Sequence, residues 1–452
     1  MNVYALVILA ALLVDYGLGL LADVLNLHAL DPEVPPELRQ AYAAERYRRS
    51  QEYTRVQTRL GIVAATLDLA LVLGFWSAGG FVWLDRAVRG LGLAPIGTGL
   101  LFVGALGLAR MAVALPLRWW ATFVVEERFG FNRTTPRTFW TDALKGLALA
   151  VVLGAPLLAL VLWLFAWAGQ AAWLWCWAAT TAFLLGVQLV APTWILPLFN
   201  EFTPLAEGPL RQAILAYARA VAFPLAGVFV VDGSRRSTKA NAFFTGFGRT
   251  KRVALFDTLV EKLPTDEVVA VLAHEIGHYE RRHVLKGLAL GVVRAGVVFL
   301  LLSVFLEHPG LFAAFGVAER STHAGLVFFA LLFAPIDLGL SLAVNALARR
   351  HEYQADAFAA ATTGMGARLA SALVRLAADA LANPTPHPLY VVLHHAHPPL
   401  RARLRALGAA AAGVLIALVL LDAVSRRGLE PSAGAGHARE HGRSTSIRAP
   451  AA

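Results

Sequence analysis

The sequence predicts an all-α polytopic membrane protein with about seven transmembrane helices and a polar domain that contains a small β-hairpin. Three observations carry this. Mean hydropathy is +0.60. Charged residues make up only 15% of the 452-residue chain, whereas soluble domains carry about 25%. Several apolar runs also reach the ~18 residues needed to cross a bilayer.

The spans are expected at 3–25, 62–84, 97–117, 143–168, 172–197, 286–306 and 324–347. The first resembles a signal peptide, but no Lys or Arg precedes it, and Asp15 and Asp23 interrupt it. It is therefore expected to remain as a span. Basic residues alternate between loops. Residues 26–61 hold Arg39, Arg46, Arg48, Arg49, Arg55 and Arg59, whereas 307–323 hold Arg320 alone. By the positive-inside rule the N-terminus lies outside, and the polar segments 198–285 and 348–406 share the cytoplasmic face. The lone cysteine, Cys176, lies in an apolar run and excludes an intramolecular disulfide. The formal charge of +10 is read as basic loops against anionic lipid, not as a nucleic-acid surface. The chain divides into a multispan region 1–199, a domain 200–406 that includes two further spans, and a terminal part 407–452. In that last part, the apolar run 407–424 reads as a buried or interfacial helix. The Gly/Ala/Ser/Pro/Arg-rich residues 428–452 read as disordered.

The chemistry concentrates in "VLAHEIGHYERRH", residues 271–283. "PTDEVVAVLA" before it reads as a helix start, with Asp266 and Glu267 suited to the first turn. On a helix, four residues advance ~400°, so His274 and His278 stand ~40° apart, one turn above the other. Both imidazoles can then reach one Zn2+ ion. Glu275 lies beside it, placed to act as general base toward water.

A zinc site needs a third protein ligand. His283 comes nine residues after His274, which on a continuous helix is the opposite face, so it is not expected to bind. "RRHEYQADAF" offers Glu352 and Asp356, four apart on one helix face. Two His and a carboxylate form a known catalytic zinc set. Asp356 could instead hold the second nitrogen of a ligating His. Pairing of both carboxylates with Arg349 and Arg350 is the bland alternative. Asp337 is a competitor, because an ionisable group inside a span is a functional suspect.

"HEIGHYERRH", "RRHEYQADAFA", "EERFGFNRTTPRTFWTD" and "STKANAFFTGFGRTKRVALFDTL" together resemble the CAAX prenyl protease 1 family of integral-membrane zinc endopeptidases, from about residue 30 to 406. The resemblance implies seven helices around a water-filled chamber, with the zinc site at its cytoplasmic end. It implies His274, His278 and Glu352 as ligands, Glu275 as catalytic base and Asp356 as proton donor. It also places Asn241, His397 and Arg403 on the substrate. The bottom-up reading agrees in part. "KANAFFTGFGRTKRVALFD" reads as a hairpin, whose edge could bind an extended peptide. His397 could donate to an oxyanion.

The expected activity is hydrolysis near the C-terminus of CAAX-type, prenylated substrates by a monomer in a bacterial inner membrane. The bacterial source rests on the Arg-over-Lys, Ala-rich composition. A general quality-control zinc protease is the alternative, disfavoured by the long multispan N-terminal region. An intramembrane protease using Asp337 would place the H-E-x-x-H within an apolar span, and here it sits among charges. A transporter would have no need of Glu275.

Overall fold

A computed structural model describes residues 2–39, 42–245 and 251–408. The apolar run 407–424 and the tail 428–452 lie, from residue 409 onward, outside the described residues.

The helices, in chain order, are α1 (Val3–His28), α2 (Ala44–Ser77), α3 (Gly80–Arg89), α4 (Pro95–Trp120), α5 (Pro136–Leu149), α6 (Ala155–Trp167), α7 (Ala172–Val190) and α8 (Pro209–Ala220). They continue with α9 (Asp257–Lys262), α10 (Thr265–Glu280), α11 (His283–Leu306), α12 (Pro309–Ala314), α13 (Thr322–Thr363), α14 (Gly366–Asp379) and α15 (Pro388–His394). Among the described residues, seven helical stretches are long and apolar enough to cross a membrane. They coincide with the seven expected runs, but with different ends.

The second run differs most. It was expected to extend to residue 84, but the helix stops at Ser77. Gly79 takes φ +71 and starts the separate α3. That is a left-handed conformation suited to glycine. At its other end α2 begins at Ala44 and runs for 34 residues, on the order of 50 Å. The hydrocarbon core is ~30 Å, so the polar half of α2 projects beyond it. There Arg46 pairs with Asp379 at 2.9 Å, and Gln51 reaches Asn383 at 3.2 Å.

Helix α13 follows the same plan over 42 residues. Its first half is apolar and carries Phe328, Phe329 and Phe333 into a buried cluster with Phe81, Phe102 and Phe312. Its second half leaves the apolar zone and carries Glu352 and Asp356, both buried. One continuous rod thus joins a membrane span to the polar domain.

That domain is built on a four-stranded sheet of β1 (Phe202–Pro204), β2 (Leu225–Val231), β3 (Ala242–Thr245) and β4 (Lys251–Phe256), in the order β1-β2-β4-β3. The expected hairpin is the antiparallel pair β3–β4, with Ala242 opposite Leu255 and Phe244 opposite Val253. Its turn falls outside the described residues. Strands β1 and β2 were not anticipated, and β2 pairs with β4 in parallel. Strand β3 forms one edge. Helix α10 packs Val268, Leu272, Ala273 and Ile276 into the core beneath, with Ile214, Leu255 and Leu259.

Two ion pairs join charges within the apolar helices. Arg110 pairs with Asp68 at 3.2 Å, and Arg294 pairs with Asp337. Asp337 thereby has a structural partner and stands apart from the histidines.

Candidate active site

Helix α10 ends at Glu280, after the H-E-x-x-H run, and its neighbour α13 brings Glu352 across from the other side. The two Nε2 atoms of His274 and His278 lie 3.2 Å apart. Glu352 Oε1 is 3.2 Å from His278 Nε2, and Oε2 is 3.6 Å from His274 Nε2. Among the described residues, these three side chains form the one group of at least three His, Cys, Asp or Glu whose ligand atoms converge, all within 4.8 Å of one another.

The donor set fits a metal ion. Four-coordinate ligand atoms ~2.1 Å from zinc stand ~3.4 Å apart, close to the spacings seen. His274 Nδ1 lies 2.8 Å from Asp356 Oδ1, so its proton sits there and Nε2 offers a lone pair inward. Glu352 Oε2 is buried, 3.0 Å from His397 Nδ1 and 3.4 Å from Arg403 Nη1, yet meets no donor at a hydrogen-bonding angle. Leaving a buried carboxylate oxygen in that state is costly, and a cation shared with the two imidazoles would satisfy it.

Arg403 grips Asp356 with two parallel bonds, Nε to Oδ2 at 2.8 Å and Nη2 to Oδ1 at 2.6 Å. This bidentate geometry is strong and directional. It bears on two expected roles. Asp356 has one oxygen held by Arg403 and the other shared by Arg403 and His274. Its geometry is that of a group that orients His274. Arg403, expected to touch substrate, instead spends its fork on Asp356 and turns its remaining nitrogen toward Glu352.

Glu275 follows His274 on α10. Burial raises its carboxyl above the usual glutamate value of 4.5, while His274 and His278 pull it down. His397 is exposed at its outer face. The Glu352 carboxylate 3.0 Å away raises it above the ordinary histidine value of 6.5, against the opposing effect of burial. Asn241 is exposed at the start of β3. Its Oδ1 accepts from the N–H of Ala242, and its carbonyl accepts from the N–H of Phe256. No hydrogen bond links it to the histidines.

The expected opposite-face position of His283 is overturned. That position requires a continuous helix, but α10 stops and Arg282 takes φ +56. That turn brings His283, the first residue of α11, back to 3.1 Å from His278. It still lies outside the converging group. Arg349, suggested as a partner for the carboxylates, donates to the carbonyls of Val391 and His395 at 3.2 and 2.7 Å. It thereby anchors the segment leading to His397. Sequence reasoning missed this role. "EIGHYERRH" held one signal, since two consecutive arginines just after an amphipathic helix are a plausible stop.

Residues 23–201 match the CAAX prenyl protease N-terminal region of five membrane helices, and residues 204–411 match peptidase family M48. The chain is 35% identical to CAAX prenyl protease 1 of Saccharomyces cerevisiae over 407 residues, covering 83% of this chain and 89% of the yeast protein. It is 33% identical to the human CAAX prenyl protease 1 homolog over 424 residues, covering 83% and 88%. The crystal structure of S. mikatae Ste24p superposes with a TM-score of 0.85 at 32% identity, covering 90% of this chain and 99% of that one. Two adjoining family models and relatives at 32–35% identity thus cover nearly the whole length of the chain: it belongs to the CAAX prenyl protease 1 family of integral-membrane metallopeptidases.

Proposed function

We propose that the protein is a zinc endopeptidase that cleaves near the C-terminus of CAAX-type, prenylated proteins or peptides, with its active site facing the cytoplasm. The observation that carries the chemistry is the convergence of His274 Nε2, His278 Nε2 and Glu352 beside Glu275. These three residues would hold zinc. The ion, when bound, supplies Lewis-acid chemistry, polarising a carbonyl and acidifying water. Glu275 takes the proton of the attacking water and returns it to the leaving amine. His397, at the exposed rim, donates to the oxygen of the scissile carbonyl as charge builds there. Asp356 and Arg403 hold His274 and Glu352 in place. Asn241 immediately precedes the edge strand β3, along which an extended substrate could add as a further strand through main-chain hydrogen bonds.

The substrate class rests on similarity along nearly full length to CAAX prenyl proteases of yeast and human. A water-filled chamber is supported by the pairs Asp68–Arg110 and Arg294–Asp337. All four side chains are more than 40% exposed although they lie in span-forming helices. Charges at membrane depth face a water-filled cavity or the bundle interior. The cytoplasmic orientation rests on loop charge. The relatives named above are eukaryotic, so a bacterial inner membrane rests on composition alone.

The test is mass spectrometry of farnesylated and unprenylated CAAX peptides incubated with the purified protein. Loss of the last three residues, faster for the farnesylated peptide, is expected. Equal cleavage of unrelated unfolded membrane proteins, with no preference for a CAAX terminus, would favour a quality-control role instead.

A further inference from the structure

The two histidines of α10 are supported in different ways. His274 presents Nδ1 to a carboxylate, Asp356. Among the described residues, none brings a carboxylate to Nδ1 of His278. There it meets another imidazole, with His283 Nδ1 3.1 Å away. The far nitrogen of His283, Nε2, lies 2.9 Å from Oε1 of Gln354. His283 is buried, and its ring stacks on that of His351 at 3.9 Å and 10° between planes. Its orientation is therefore held on its flat face and at both nitrogens.

The protons can be assigned from the far end. Oε1 of Gln354 only accepts, so His283 carries its proton on Nε2. The Nδ1 of a neutral His283 is then a lone pair. A contact between two nitrogens needs one proton, so His278 must supply it from Nδ1. That leaves the lone pair of His278 on Nε2, aimed at His274 and Glu352. With the Gln354 amide reversed, every proton in the chain would reverse too. His278 would then point an N–H at the site and could not bind a cation there.

We propose that His283 and Gln354 are positioning residues that set the tautomer and ring orientation of His278 for metal binding, although neither is a ligand. This rests on the zinc reading above. Partners of this kind typically govern 10- to 100-fold in metal affinity. A neutral imidazole orients His278 without adding negative charge. The site already holds the Glu352 carboxylate, and the charge of Asp356 is offset by Arg403. The relay draws one group from each of three helices, since His278 lies in the last turn of α10, His283 begins α11 and Gln354 lies on α13 two residues beyond Glu352. The left-handed turn at Arg282 makes this possible.

The experiment is chelator competition for zinc on the full-length protein in detergent, comparing wild type with His283→Phe, Gln354→Leu and Gln354→Glu. Thermal melting of the zinc-free proteins serves as the folding control. His283→Phe and Gln354→Leu should bind zinc about 10- to 100-fold more weakly. Gln354→Glu keeps the acceptor and should bind zinc more tightly than Gln354→Leu. If His283→Phe does not fold, the two Gln354 variants decide alone. Equal zinc affinity in Gln354→Leu and Gln354→Glu, whether both normal or both weakened, would overturn the relay. A wild-type protein that fails to hold zinc would instead overturn the zinc reading.

Discussion

Gly277 of α10 lies so close to Ala355 of α13 that a Cβ on it would stand 3.1 Å from both the Cα and the carbonyl oxygen of Ala355. These two atoms are backbone and cannot swing aside, and Cβ of Phe358 lies 3.2 Å away. This approach brings the helix of His274 and His278 against the helix of Glu352. The glycine is needed here for space and not for an unusual backbone angle, as it sits in mid-helix.

Gly277→Val should therefore push the helices apart. Overpacking of this kind costs about 1–3 kcal/mol. The variant should melt several degrees lower than wild type and hold zinc more weakly. Calorimetry and metal analysis after dialysis would check this. Unchanged zinc affinity would mean that the helix spacing does not set the site.

The ligand set separates from its neighbours by metal content. Glu352→Ala should lose zinc, because it removes one of three protein ligands and leaves two imidazoles. Asp356→Asn should keep the fold but weaken zinc by about 10- to 100-fold, since it alters the group that holds His274. Asp337→Asn should keep full zinc, as Asp337 pairs with Arg294. Loss of zinc from Asp337→Asn with retention in Glu352→Ala would move the site into the membrane.

Acidity gives an independent handle on Glu275. Burial raises its carboxyl above 4.5 in the folded protein, so the folded state favours the protonated form. A group raised in this way contributes stability below its unfolded value, and that contribution is lost as pH rises through the folded value. In the zinc-free protein, Glu275→Gln should therefore melt at a higher temperature than wild type at pH 7. The difference should shrink as pH falls toward 4.5. A variant less stable than wild type at neutral pH would contradict the sign.

Sidedness is open to reporter fusions. Reporters at residues 235 and 385 should be cytoplasmic, and one at 315 should be outside. Opposite sides for 235 and 385 would be incompatible with the closeness of α10 and α13.

Seven spans, the helix of the paired histidines and the placing of Glu352 and Asp356 on one helix face could be read from hydropathy and from spacing. Those features are local, and each repeats within one or two turns. The position of His283 was misread, because a helix break at Arg282 depends on how α11 packs and not on helical periodicity. The roles of Asp356 and Arg403 were blurred for a related reason. Their mutual grip joins residues 47 apart in the chain, and no local pattern marks it. Strand β2 was missed since a parallel neighbour becomes visible only once β4 is in place. Gly277 reads as an indifferent helix residue until the second helix arrives.

The most direct test is Glu275→Gln, assayed for zinc content and turnover on the same preparation. The mechanism predicts about one zinc per chain, as in wild type, with kcat on a farnesylated CAAX peptide reduced by at least about two orders of magnitude. Normal zinc with normal turnover would contradict it.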